Sequence, residues 1–265
     1  VRVWAVSNQK GGVGKTTTVV TLGGLLGSLN KKVLLVDLDP HASLTCYFKY
    51  DPDHLEHSVF DLFQYQGNVP ESLPGQLVLE TNHPNVNFLP ATTAIATLER
   101  KLAGEGGYGL VLSKALAHLW DHFDFVLIDT PPQLGVLMVN ALAASERLLI
   151  PVQTEFLAIK GLERMMHTLD MINHSRKTQL PYLIVPTLFD RRTHASIAAL
   201  RTLRSNYAEH VWQSIIPVDT KFRDASEQGI AVHELDNHTR GVKAYRHLLK
   251  DLLKLQTKVI SKAVS

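Results

Sequence analysis

"SNQKGGVGKTTTVVTLGGLL", residues 7–26, stands directly behind a short β-branched run and opens into a leucine-rich one. Strand, glycine loop and helix in that order form the setting of a phosphate-binding loop, and the setting makes the match far more specific than the bare pattern. Gly11, Gly12 and Gly14 allow successive backbone N–H groups to turn inward, where a Cβ would obstruct a phosphate. Val13 sits between them and adds its own N–H. The start of the following helix contributes partial positive charge. Lys15 is placed to neutralise β- and γ-phosphate oxygens and the Thr16 hydroxyl to ligate Mg²⁺, with Thr17 donating to the α-phosphate of ATP. Two details depart from the usual loop. Gln9 occupies the place of the first glycine, and a second lysine, Lys10, precedes the glycines.

Outward from this loop, short apolar runs alternate with amphipathic ones. Strands are predicted at 1–7, 32–38, 86–90, 123–129, 147–152, 182–189 and 212–217. Several are apolar almost throughout, as in a parallel sheet covered on both faces. In the first helix Leu22, Leu25, Leu26 and Leu29 follow a helical spacing that turns one stripe toward the sheet. The expectation is an α/β fold, a doubly wound, mostly parallel sheet with helices on both faces, in one domain over residues 1–265. Residues 51–85 read as an irregular excursion. "AGEGGYG", 103–109, follows no strand and reads as a flexible connection rather than a second phosphate site.

Two acidic signals lie where such a fold binds ligands, beyond the carboxyl ends of its strands. "LLVDLDP", 34–40, carries Asp37 and Asp39, two apart and therefore expected on one face. "FVLIDTPP", 125–132, carries Asp129. Carboxylates there hold Mg²⁺ or orient an attacking water.

Composition narrows the class. The 265 residues carry a net charge of only +2, so nucleic-acid binding would need a local patch. One cysteine, Cys46, excludes an internal disulfide or a cluster ligated by cysteines of one chain, and it reads as packing rather than as a nucleophile. No apolar run nears the roughly 20 residues of a membrane span. The first strand is too short for a signal peptide, and the expected location is cytoplasmic. Of the 13 histidines, His118 and His122 are four apart but lack an acidic ligand nearby, so histidines are read as surface or satisfied groups.

"KGGVGKT", 10–16, resembles the deviant Walker motif of the ParA/MinD branch of phosphate-loop NTPases. The resemblance implies that Lys10 crosses a homodimer interface to the partner's nucleotide. It implies that Asp39 positions the hydrolytic water, that Asp37 lies nearer the metal and the switch, and that Asp129 is the Walker B carboxylate. It continues through "PVQTEFLAIKGLERM" (151–165), with Glu155 and Gly161, then "PTLFDRRTHAS" (186–196) and "IIPVDTKFRDASEQGIAV" (215–232), where the backbone at Pro217 approaches adenine. "GVKAYRHLL" (241–249) resembles the closing helix. Val218 and Asp224 depart from the family's common residues. The implied activity is slow ATP hydrolysis stimulated by a cargo-side protein, with non-specific DNA binding by the ATP-bound dimer and a nucleoid-associated or polar location. Arg192, Lys221 and Arg223 are the DNA-binding candidates by position. "VWAVSNQKGGVGKTTT" and "DLDPHASLTCYF" look closest to ParA-like proteins that position polar chemotaxis arrays, with chromosome or plasmid partition as the other cargoes.

Two rival readings stay open. At the C-terminus, Leu248, Leu252, Leu255 and Val259 form one stripe, and Lys250, Lys254, Lys258 and Lys262 another. Such a helix packs on its own domain or lies on a membrane, as in MinD-like relatives. The other rival is a metabolic phosphate-loop synthetase, for which Lys10 would be dispensable.

Overall fold

The computed structural model describes residues 1–65, 67–102, 107–176 and 178–263, the side chains of Glu99 and 256–263 excepted. Seven strands run in one sheet: β1 (Arg2–Val6), β2 (Val33–Asp37), β3 (Leu79–Glu80), β4 (Val86–Leu89), β5 (Phe125–Asp129), β6 (Arg147–Gln153) and β7 (Tyr182–Thr187). Their spatial order is β3-β4-β2-β5-β1-β6-β7. Every pairing is parallel except that of the edge strand β3 with β4. Twelve α-helical segments are described: α1 (Lys15–Gly27), α2 (Ser43–Tyr47), α3 (Val59–Leu62), α4 (Leu73–Gln76), α5 (Ala96–Lys101), α6 (Val111–Ala117), α7 (Val136–Ala144), α8 (Phe156–Ser175), α9 (His194–Asn206), α10 (Lys221–Gln228), α11 (Val232–Leu235) and α12 (Arg240–Ala263).

Strand alternation divides the core into two layers. Val3, Ala5, Leu34, Val36, Val126 and Ile128 pack on the face covered by residues of α6, α7 and α8. Trp4, Val6, Val33, Leu35 and Leu127 point the other way, against α1 and Tyr245, Leu248 and Leu252 of α12. This is the doubly wound arrangement the apolar strands require, since both faces of a parallel sheet must be covered. Val6 of β1 and Asp37 of β2 are each in register with Asp129 of β5, so three carboxyl ends open on one crevice.

Three expectations need revision. The predicted strand at 212–217 is only an interrupted companion of β7, joined by isolated bridges at Ile184–Val211 and Phe189–Pro217. Pro186, whose carbonyl accepts from Ile216 N–H, lacks the N–H that a continuous ladder would use on that side. The stretch 51–85 holds the extra strand β3 as well as α3 and α4. α1 is not one-sided: Lys15 and the whole run Thr18–Gly27 are buried, while Leu29 lies beyond the helix and is 56% exposed. The helix is wedged between sheet and α12, so its apolar residues surround it. Of the Gly-rich connection, residues 103–106 lie outside the described residues.

The C-terminal stripe resolves in part. Leu248 and Leu252 are fully buried and Leu255 is 39% exposed, while the side chains of Val259, Lys258 and Lys262 lie outside the description. Among the described residues no helix is long and apolar enough to cross a membrane.

Candidate nucleotide site

The loop after β1 is fixed from below by polar side chains. Asn8 is fully buried, and its Nδ2 donates to the carbonyl of Pro151 at 2.7 Å while its Oδ1 accepts the Lys10 N–H at 3.1 Å. Gln9, the residue in place of the first glycine, donates to Thr168 Oγ1 of α8 at 2.6 Å. Val13 is fully buried, and its carbonyl accepts from Thr187 Oγ1 of β7 at 2.8 Å. Gly12 and Gly14 take left-handed φ angles of 73° and 93°, which a side chain would strain. Gly14 caps α1 without a capping side chain, leaving the first N–H groups of the helix facing the loop.

A cavity of about 730 Å³ opens over this loop. Gly11, Gly12, Gly14, Lys15, Thr16, Thr17 and Asp39 line it together with Leu188, Pro217, Val218, Phe222 and Tyr245. Backbone and cationic groups for phosphates and apolar and aromatic side chains for a flat ring thus meet in one cavity. Pro217 reaches the wall because Val218 N–H donates to the carbonyl of Phe189 at 3.1 Å and Phe189 N–H to that of Ile216 at 3.0 Å.

The carboxylates divide their work. Thr16 Oγ1 donates to Asp129 Oδ2 at 2.6 Å. Asp129 is fully buried, its Oδ1 has no hydrogen-bond partner, and burial beside Asp37 pushes its pKa up to about 8 despite Thr16 and Lys15. An orphaned buried carboxylate oxygen beside a threonine hydroxyl is the donor chemistry of Mg²⁺, whose charge would reverse that shift. The residues present therefore fit the ion.

Asp37 and Asp39 do not share a face. β2 ends at Asp37, and the period-two rule ends with it. Asp37 Oδ2 accepts Thr45 N–H and Oγ1 at 2.9 and 2.8 Å, and Oδ1 accepts Asp39 N–H at 3.1 Å. Both oxygens thus hold the turn into α2, and burial raises this pKa to about 7. Asp39 instead lines the cavity, where its Oδ1 accepts the His41 N–H at 3.0 Å with His41 Nδ1 at 2.9 Å.

Lys15 and Lys10 also part company. Lys15 is 8% exposed within the cradle. The Lys10 ammonium turns away to an ion pair with Glu155, the residue that precedes α8. Gly161 of α8 lies beside the Lys10 stem, where a Cβ would make only ordinary van der Waals contact, 3.4 Å from Lys10 Cβ.

The DNA-binding candidates divide between two adjoining cavities, which share Pro217, Val218, Asp219 and Thr220. Arg192 and Lys221 line a second cavity with Arg191 and Arg240, whereas Arg223 lines the nucleotide cavity. Arg192 is held at 2.9 and 2.7 Å by both oxygens of Asp190, and Lys221 at 2.8 Å by Asp224.

One contact escaped the sequence reading. The fully buried Tyr245 of α12 places its hydroxyl 2.8 Å from Thr18 Oγ1, which donates to the Gly14 carbonyl at 2.7 Å. The signal was present: Tyr245, Leu248 and Leu252 share a helical stripe, and a tyrosine on a core-facing stripe needs a polar partner.

Known proteins resemble this chain over nearly its whole length. The AAA domain family model matches residues 1–182. The sporulation initiation inhibitor protein Soj of Bacillus subtilis is 32% identical over 252 residues, covering 95% of this chain and 98% of Soj. The chromosome partitioning protein ParA of Myxococcus xanthus is 30% identical over 257 residues, covering 97% of this chain and 89% of that protein. Cobyrinic acid a,c-diamide synthase from Mycobacterium smegmatis, solved with ADP and magnesium, superposes with a TM-score of 0.81 at 35% identity, covering 97% of this chain and 96% of that one. An ATP complex of a Cyanothece McdA variant superposes with a TM-score of 0.84 at 22% identity, covering 96% of each chain, a likeness of fold.

Proposed function

The chain belongs to the ParA-type partition ATPases, and from that premise we propose that it is a one-domain, cytoplasmic switch that ATP converts from monomer to dimer. One observation carries the reading. The phosphate cradle holds its own lysine, Lys15, while Lys10 lies beside it without entering, paired to a glutamate that is partly open to solvent. A loop with a spare ammonium at its rim can offer that charge to the triphosphate of a second copy. Ligand held between two copies then stabilises the dimer by mass action.

Within each copy the Gly12–Thr17 segment binds the phosphates, and Pro217 and Val218 border the base end. Thr16 and Asp129 hold Mg²⁺, with Asp37 setting the turn that presents Asp39. Mg²⁺ held there would supply positive charge to the phosphate oxygens. Asp39 orients the attacking water and keeps its own orientation through His41. Hydrolysis to ADP and phosphate is slow alone and faster with a cargo-side activating protein.

The charged dimer binds DNA non-specifically through Arg192, Lys221 and Arg223, near the nucleoid or a cell pole. The cargo is a chemotaxis array, a chromosome or a plasmid. Solution mass with ADP and with a slowly hydrolysed ATP analogue tests the switch, for wild type and Lys10→Ala. An ATP-specific dimer lost in the variant supports it, and a monomer under every condition overturns it.

A second reading has its own support, the 35% identity to a cobyrinic acid a,c-diamide synthase over nearly the whole chain. A synthetase of that kind would turn over a carboxylic acid substrate with Lys10→Ala intact. A membrane-cycling switch is the third reading, and ATP-dependent sedimentation with liposomes would reveal it.

A further inference from the structure

The turn between β3 and β4, the buried flank of α1 and the short helix α11 meet at a polar cluster that shares no residue with the lining of the nucleotide cavity. His83, His233 and Glu234 each bring one ligand atom there, and the three atoms lie within 4.8 Å of one another. His83 Nε2 stands 3.8 Å from Glu234 Oε1. We propose that these three side chains bind a single divalent transition-metal ion of the zinc type.

His233 carries the argument. Its imidazole is nine-tenths buried, yet Nδ1 has no hydrogen-bond partner. The other nitrogen explains which atom holds the proton. Ser28 Oγ donates to the Gly24 carbonyl at 3.0 Å, so at 2.9 Å from His233 Nε2 it accepts the N–H of the ring. Nδ1 is thereby left with a bare lone pair. One nitrogen fixed as N–H by a hydrogen bond and the other free as a lone pair is the arrangement by which a protein orients a histidine for a metal. Leaving a buried acceptor unmatched is otherwise unfavourable.

α1 is cut away to make the space. A Cβ on Gly24 would stand 2.7 Å from His233 Cε1, and one on Gly27 would stand 2.6 Å from His83 Cε1. Glycine is a poor helix residue, and here two of them, about one turn apart, seat the two imidazoles against the helix. A small void of about 10 Å³ lies beside His83, Glu234 and Gly24.

Two imidazoles and one carboxylate suit Zn²⁺, Co²⁺ or Ni²⁺, whereas Mg²⁺ and Ca²⁺ prefer all-oxygen sites. Glu234 lies on the partly exposed side, so solvent supplies the fourth ligand. Binding makes one demand. Asn85 N–H donates to His83 Nδ1 at 3.2 Å, which puts the free ring's proton on Nε2. Coordination through Nε2 shifts that proton to Nδ1 and gives up the Asn85 bond. The three ligands must also close in toward the roughly 2 Å bonds of zinc. Both demands weaken binding, and a micromolar dissociation constant is expected.

The test is calorimetric titration of chelator-stripped, untagged protein with Zn²⁺ in excess Mg²⁺. The variants are His83→Gln and Glu234→Gln, with His118→Gln/His122→Gln as the control. One equivalent bound by wild type and the control, and at least tenfold weaker binding in both single variants, would establish the site. A Co²⁺ titration of wild type needs no variant: intense visible bands support coordination of low symmetry, and the faint spectrum of the hydrated ion contradicts it. No saturable Zn²⁺ binding, or equal binding by the single variants, overturns the proposal.

Discussion

Glu155 takes the ammonium of Lys10, 145 positions away, and holds it at the rim of the glycine loop. The lysine that distinguishes this loop therefore has an intramolecular partner in the single chain. Any role between two copies must compete with that partner.

Removing the competitor should favour the dimer. The Lys10 and Glu155 side chains are 27% and 38% exposed, so their pairing resembles a surface ion pair of about 0.5 kcal/mol. Each copy gives up one such pair on dimerising, so Glu155→Gln should lower the protein concentration needed for the ATP-analogue dimer by about fivefold, read by analytical ultracentrifugation. A dimer that instead weakens would make Glu155 an interface residue in its own right.

Stability of the metal-free, nucleotide-free protein should fall as pH rises. The pKa values of Asp37 and Asp129 are raised from 3.8 to about 7 and about 8 by burial. Raised folded-state values mean that protonation stabilises the fold. That contribution is complete below the unfolded pKa and is lost as pH climbs through the folded ones. Thermal midpoints should decline from pH 5 to 9, and Asp129→Asn should flatten the decline. Saturating Mg²⁺ and ATP should restore the midpoint in wild type. Parallel pH curves for wild type and variant would refute the assignment.

The link from α12 to the loop should be measurable without nucleotide. Tyr245→Phe deletes a buried hydroxyl but leaves Thr18 bonded to the Gly14 carbonyl. The loss should be about 1 kcal/mol, a melting shift of about 2–4 °C for a chain of this size. Calorimetry would detect it, and an unchanged midpoint would mean that water replaces the hydroxyl.

Gly24→Ala should destabilise although alanine is the better helix former. The new Cβ would meet Ala231 Cβ at 2.6 Å as well as the His233 ring, and overpacking of this kind costs about 1–3 kcal/mol. Urea unfolding gives the sign directly: a more stable variant would mean that α11 moves away freely.

For DNA, Asp190→Asn should release Arg192 from its two-oxygen clamp. Asp190 is held down to about 2 by that arginine and so stays ionised at every working pH. Its removal should strengthen binding of the ATP-bound protein to duplex DNA, while Arg192→Ala should weaken it and reduce the salt slope by about one. Filter binding at several salt concentrations distinguishes the two, and identical slopes would remove Arg192 from the interface.

Much of the fold was legible because parallel strands are apolar on both faces and announce themselves, as β2 and β5 do. The dipeptide strand β3 carries no such pattern. The stretch 212–217 has strand composition, but Pro186 of β7 withholds an N–H from the ladder it would need. Asp37 and Asp39 look equivalent in the chain, and only the end of β2 between them sends one to Thr45 and the other to the cavity.

What the sequence determined alone is the phosphate loop. Its strand, glycines, lysine and threonine lie within about twenty residues, where backbone geometry follows from local sterics and hydrogen bonding. What only the tertiary structure decided is who meets whom: Lys10 with Glu155, Thr16 with Asp129, Thr18 with Tyr245, His83 with His233 and Glu234. Those partners are far apart along the chain. Their proximity follows from the order of strands in the sheet and the packing of α8, α11 and α12 around it, and no local periodicity encodes either.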